Sequence, residues 1–140
     1  HSFSRAPDIR LYIDIENCLK AGSDLENVMA FAKRDKTVVR VLTAFILTKK
    51  LFGTDLDKCV QDVALEYDKR LKKLLKLVYD EEKNSLIYEP KRINTLRIEL
   101  CYYDDGKGLT KMLFPDKKWK KEVYGDGIIA DIKHIARIFR

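Results

Sequence analysis

T-V-V-R-V-L-T-A-F-I-L-T, residues 37–48, is the stretch whose reading decides the fold. It is rich in β-branched and apolar residues, and Lys36 and Lys49 bound it. Such residues suit the pleated, half-buried surface of a sheet. A nearly unbroken apolar run suits a strand covered on both faces. On this reading residues 37–48 form a central strand. The fold class is then α/β: a mixed sheet of about five strands with helices packed on it and one long helix. The whole of residues 9–140 fits a single domain of ordinary size.

Toward the N-terminus, Ser23 and Glu26 have the spacing of a capping box. Leu25, Val28, Met29, Phe31 and Ala32 follow as the apolar face of a helix reaching Arg34. Before it, residues 9–15 give a further strand, so that strand, helix and strand make a βαβ unit with a right-handed crossover. Residues 1–8 read as a tail, with the polar character of a tag remnant. Asp14 interrupts the run of Leu11, Tyr12, Ile13 and Ile15. Ligands of open α/β sheets sit beyond the carboxyl ends of the strands. Asp14, with Glu16 and Asn17 close by, therefore offers oxygen donors of the kind that suit Mg²⁺ or Mn²⁺. The competing reading is an ordinary strand end running into a turn.

Toward the C-terminus, Gly53 and Thr54 break the chain, and residues 55–79 carry a helical stripe of Leu56, Val60, Val63, Tyr67, Leu71, Leu74 and Val78. The opposite face holds Lys69, Arg70, Lys72, Lys73 and Lys76. Those cations suit either a solvated surface or a phosphate backbone. A helix this long also offers a face for a second copy or a partner protein. Residues 86–88 make a short strand. Residues 95–103 alternate Leu96, Ile98, Leu100 and Tyr102 against Arg97, Glu99, Cys101 and Tyr103, as an antiparallel strand does. D-D-G-K-G at 104–108 reads as a hairpin turn, with 109–114 as the return strand.

Residues 115–122 read as a basic loop in which Lys117, Lys118, Lys120 and Lys121 surround Trp119. A ring among cations suits a stacked base of single-stranded nucleic acid; the alternative is Trp119 as a core anchor. A final helix over residues 128–139 carries Ile128, Ile132, Ile135 and Ile138, with Asp126 as its N-cap and His134 on its surface.

Composition narrows the function classes. Lys and Arg total 28 against 22 Asp and Glu, a net charge of +6 that leans toward an anionic partner such as RNA. Cys18, Cys59 and Cys101 are widely spaced, which disfavours a zinc site or disulfide framework and favours a reducing compartment. No apolar run approaches the ~18–20 residues a membrane span needs, and no signal peptide is visible, so a cytoplasmic or nuclear location is expected. No phosphate-cradling glycine loop follows a strand, and no Ser- or Cys-based nucleophile arrangement occurs. Carboxylates are the chemistry that remains.

I-D-I-E-N at residues 13–17 resembles the first motif of NYN domains, a PIN-like nuclease group in which a strand ends in Asp with Asn three residues on. G-D-G-I-I-A-D-I at 125–132 resembles the segment of that family in which one acid opens a helix and another lies within it, here with a spacing one residue short. The family's further S-G-D-x-D-like strand end has no counterpart after that helix. The resemblance implies a Mg- or Mn-dependent ribonuclease with Asp14, Asp126 and Asp131 as catalytic acids and Asp14 and Asp126 as metal ligands. Asn17, Lys117, Lys118, Trp119, Lys120 and Lys121 would then hold RNA. The alternative is a non-catalytic interaction module that dimerises or docks a partner through residues 55–79.

Overall fold

The computed structural model describes residues 9–87, 92–102, 104–105, 110 and 115–138. The chain divides into two units, one ending at Asp104 and the other beginning at Asp105.

The N-terminal unit is a helical bundle and not an α/β sheet. Its elements are α1 (Ile9–Lys20), α2 (Leu25–Arg34), α3 (Val38–Phe52), α4 (Lys58–Glu66), α5 (Asp68–Val78), β1 (Tyr79–Asp80), β2 (Ser85–Leu86) and α6 (Arg92–Tyr102). Its described strands are the two-residue β1 and β2, paired antiparallel with Tyr79 opposite Leu86. The expected mixed sheet is thus overturned at residues 9–15, 38–48 and 95–102, all of which are helical. The hairpin and return strand expected over 104–114, like the 1–8 tail, lie largely outside the described residues.

The decisive stretch is helix α3. Val38, Val39, Leu42, Thr43, Ala44, Phe45, Leu47 and Thr48 are all buried. Helices α1, α2, α5 and α6 pack around it. A helix buried on most of its sides belongs in the middle of a bundle, and the expected central strand is this helix instead. Two polar residues lie within this buried helix without leaving a hydroxyl unsatisfied. Thr43 Oγ1 donates to the Val39 carbonyl oxygen at 2.7 Å, and Thr48 Oγ1 to that of Ala44 at 2.9 Å. Gly53, at φ 75°, ends the helix in the left-handed conformation that glycine adopts without steric cost.

In α1 the apolar run divides between two faces. Tyr12 and Glu16 are buried, and Ile15 and Leu19 pack beside them, a spacing of three and four. Leu11 and Ile13 face outward. In α6, Ile98 and Tyr102 are buried one turn apart. The helix expected over 25–34 forms with those bounds, but its cap is Asp24, whose carboxylate accepts from the Asn27 amide at 3.0 Å. Ser23 Oγ instead donates to the Cys18 carbonyl oxygen and closes the end of α1.

The long helix expected over 55–79 is two helices. Tyr67, at φ −108° and ψ 10°, caps the end of α4 and opens α5. The break lets the two segments serve different neighbours: α4 packs on α2, and α5 packs on α3 and α6. Val60 and Val63 are buried in the first, Leu71, Leu74 and Val78 in the second.

The first turn of α3 is capped from far along the chain. Thr37 makes no side-chain cap. Asp104, 66 residues from Val38, accepts the Val38 amide at 2.6 Å and the Val39 amide at 3.0 Å. Arg70 Nη1 donates to the backbone oxygen of the same Asp104 at 2.8 Å.

The C-terminal unit contains α7 (Lys117–Tyr124) and α8 (Ile128–Ile138), packed on each other. The basic loop expected at 115–122 is therefore mostly helix, capped by Asp116, which accepts the Lys118 amide at 2.7 Å. Trp119, Tyr124 and His134 form a three-ring cluster, with edge-to-face centroid separations of 5.6–5.9 Å that favour aromatic packing. His134 is buried there and not on the surface.

Candidate docking groove between two helices

Each residue expected in a nuclease site has a place in this architecture. Asp14 and Asn17 are exposed on α1, at no strand end. Glu16 turns inward, accepts a hydrogen bond from Thr54 Oγ1 and pairs with Lys20 Nζ at 2.8 Å. It thereby fastens α1 to the loop after α3. In the C-terminal unit Asp131 pairs with Lys120, and Asp126 pairs with Lys121 at 2.7 Å. Two of the three expected catalytic acids thus meet two of the lysines expected to hold RNA. Asp126 lies one residue ahead of the capping position, which Gly127 occupies. Trp119 is 43 % exposed, and its ring packs edgewise against Tyr124 and His134. Lys117 and Lys118 are exposed on α7.

A Mg²⁺ or Mn²⁺ site needs several oxygen donors converging on one point. Among the described residues no group of three or more His, Cys, Asp and Glu side chains is arranged to hold a metal ion. These residues do not fit such a site: Glu16 is engaged by Thr54 and Lys20, and Asp126 and Asp131 by lysines.

Described residues of the N-terminal unit line two concavities. One, of about 640 Å³, opens at the α4–α5 break and is lined by Leu65, Tyr67, Asp104 and the mixed charges Glu66, Asp68, Lys69 and Arg70. Burial, with the charges of Asp104 and Glu66, holds the Tyr67 phenol above its ordinary pKa. Its walls carry both signs, and Arg70 is engaged with Asp104, so no ligand charge is favoured.

The other is a groove of about 490 Å³ between α5 and α6. Lys73, Lys76 and Leu77 line it from α5; Arg97, Leu100 and Cys101 line it from α6. The spacing explains the arrangement. Leu74 and Val78 turn to the core, which brings Leu77 and the lysines at 73 and 76 to the seam with α6. On α6, Ile98 and Tyr102 point inward, leaving Arg97, Leu100 and Cys101 on the seam. The floor is apolar and the rim is cationic, and the described lining contains no carboxylate. Sequence reasoning placed Lys73 and Lys76 on a basic face but missed the groove, because Arg97 and Leu100 were assigned to opposite faces of a strand. A helical reading of 92–102, with Arg97, Leu100 and Cys101 at steps of three and four, is the signal that would have found it.

Among the described residues no helix is long and apolar enough to cross a membrane. The chain matches no protein-family model, no curated protein and no solved structure.

Proposed function

We propose that this chain is a non-catalytic protein-interaction module whose docking surface is the α5–α6 groove. The observation that carries this reading is the lining itself: an apolar floor of Leu77, Leu100 and Cys101 beneath Lys73, Lys76 and Arg97. Its volume lies in the range of ordinary ligand pockets, ~300–1,000 Å³. Its described lining offers no imidazole or carboxylate for acid–base work. A metal-dependent nuclease draws less support, because its key carboxylate would sit at the mouth of a parallel strand and Asp14 lies on an exposed helix face.

Selection of binding peptides from a random displayed library tests the proposal. Peptides that bind the chain should lose at least about tenfold in affinity, or 1.4 kcal/mol, when the half-exposed Leu100 is replaced by Glu. The far-ultraviolet circular dichroism of the Leu100→Glu variant should be unchanged. Binders indifferent to that replacement overturn the proposal. So does Mg²⁺- or Mn²⁺-dependent RNA cleavage that disappears in Asp14→Asn.

A further inference from the structure

We infer that the occupant of the α5–α6 groove is an acidic amphipathic helix of a partner protein, an inference that rests on reading the groove as the docking surface. Charge is the first argument. Lys73, Lys76 and Arg97 are exposed, and none makes an ion pair among the described residues. Lys20, Lys49, Lys50, Lys72 and Lys83 of the same unit are each paired with a carboxylate. Three cations without a described ion pair thus line a groove whose described lining holds no acid. Cations around a partly desolvated floor select the complementary sign and speed encounter with it.

The floor is the second argument. Leu77, Leu100 and Cys101 offer apolar contact, and the described lining holds no aromatic platform. A single-stranded polynucleotide draws much of its binding from bases stacked on rings, which the described lining does not supply. An amphipathic peptide satisfies floor and rim together, with aliphatic side chains below and carboxylates at the edges.

Backbone geometry is the third. A seam between two helices takes a helix laid along it, read through anchors at i, i+3, i+4 and i+7. Strand addition needs an open sheet edge, and the described strands are two residues each and paired with one another. Helix α5 has 11 residues, about 16 Å at ~1.5 Å per residue, so the matching segment is about three turns long. Lys73 and Lys76, one turn apart, form one rim, and Arg97 stands on the other helix. The matching helix carries two acids a turn apart on one flank of its apolar stripe and an acid on the other.

The test uses the full chain and two synthetic peptides of about 14 residues with identical leucine spacing. One has glutamate flanks and the other lysine flanks, and each carries a fluorophore for anisotropy titration. The glutamate peptide should bind at least about tenfold more tightly, with an advantage that shrinks as salt is raised. The triple variant Lys73→Glu, Lys76→Glu and Arg97→Glu should reverse the preference, a gain of binding that misfolding cannot produce. Equal affinity for the two peptides, or binding of neither, overturns the inference. So does an RNA oligonucleotide that binds more tightly than the glutamate peptide and is released by the triple variant. Library-selected peptides that depend on Leu100 but carry no acidic flank refute the acidic helix while leaving the docking module standing. Selected peptides that all ignore Leu100→Glu refute both.

Discussion

Replacing Asp104 by Ala removes the only side-chain cap on the first turn of the central helix among the described residues. The carboxylate takes two amide protons, from Val38 at 2.6 Å and from Val39 at 3.0 Å. Loss of a capping side chain costs ~1 kcal/mol and up to ~2 in folded proteins. A carboxylate near a helix N-terminus contributes roughly 0.3–1 kcal/mol more through the helix dipole, and up to ~2 when partly buried. The two overlap in one group, so Asp104→Ala should destabilise the N-terminal unit by about 2–3 kcal/mol. For a unit of about 100 residues, each kcal/mol lowers Tm by ~4–8 °C, so a fall of roughly 10–20 °C is expected. The contact from Arg70 survives, because it goes to the Asp104 backbone oxygen. Asp104→Asn keeps an acceptor and loses the charge, and should recover about half the loss. Urea unfolding followed by circular dichroism measures the change as a shift in midpoint at constant m. Hydrogen exchange should show the Val38 and Val39 amides losing protection beyond the global change. A loss below about 0.5 kcal/mol, the ordinary range for a surface substitution, would refute the cap as a structural tie.

Lys36 sits just past the end of α2 with φ 55°, the place where glycine is preferred, and the Thr37 amide closes back onto the Ala32 carbonyl oxygen at 2.9 Å. Lys36→Gly should raise stability by about 0.5–1 kcal/mol in the same urea assay; a decrease would show that the left-handed conformation carries no strain there. Tyr67 is held above its ordinary pKa of 10.0, first by burial and then by the Asp104 and Glu66 charges. Its folded pKa exceeds the unfolded one, so the associated stability is complete below pH 10 and declines as pH rises through the folded value. Ultraviolet titration should find that the late ionisation of Tyr67 moves to lower pH in Asp104→Ala. Burial, helped by the Asp57, Glu26 and Asp62 charges, raises the Cys59 thiol above its ordinary pKa, whereas Cys18 is exposed. Ellman's reagent at neutral pH should therefore modify Cys18 well before Cys59, and the reverse order would contradict the structure.

The positions that the sequence placed well are those decided by short-range periodicity. Leu25, Met29 and Ala32 mark the buried face of α2, and the stripe from Val60 to Val78 marks that of α4 and α5. The break at Tyr67 has no local signature, since neither proline nor glycine stands near it; it arises because α4 and α5 pack on different helices. Residues 37–48 were legible as buried and central but not as helical. A short apolar run looks the same in a covered strand and in a buried helix, and β-branching tips the reading toward the strand. Asp14 suits a metal ion only as the last residue of a strand, and it lies within helix α1. Once residues 9–20 are a helix, the inward oxygen is Glu16, four residues after Tyr12. The groove was least legible, because it joins residues of α5 and α6 that are 20 to 28 positions apart and meet only through tertiary packing.

Helix α3 also holds a segment of strand-forming composition inside the bundle. Residues 37–48 contain Arg40 as their one charge, no proline and many β-branched side chains. That is the composition of segments that stack, chain upon chain, into cross-β fibrils. Local preference and native conformation disagree here, and the disagreement is resolved by burial against α1, α2, α5 and α6. Each opening of the bundle frees this segment to follow its local preference, with Lys36, Lys49 and Lys50 as the charged residues that flank it and oppose stacking. A substitution that weakens the core therefore does more than lower the folded fraction. It raises the concentration of a sticky, strand-forming species, and the rate of aggregation climbs with it. The packing that keeps α3 helical thus also withholds this segment from pairing with other chains.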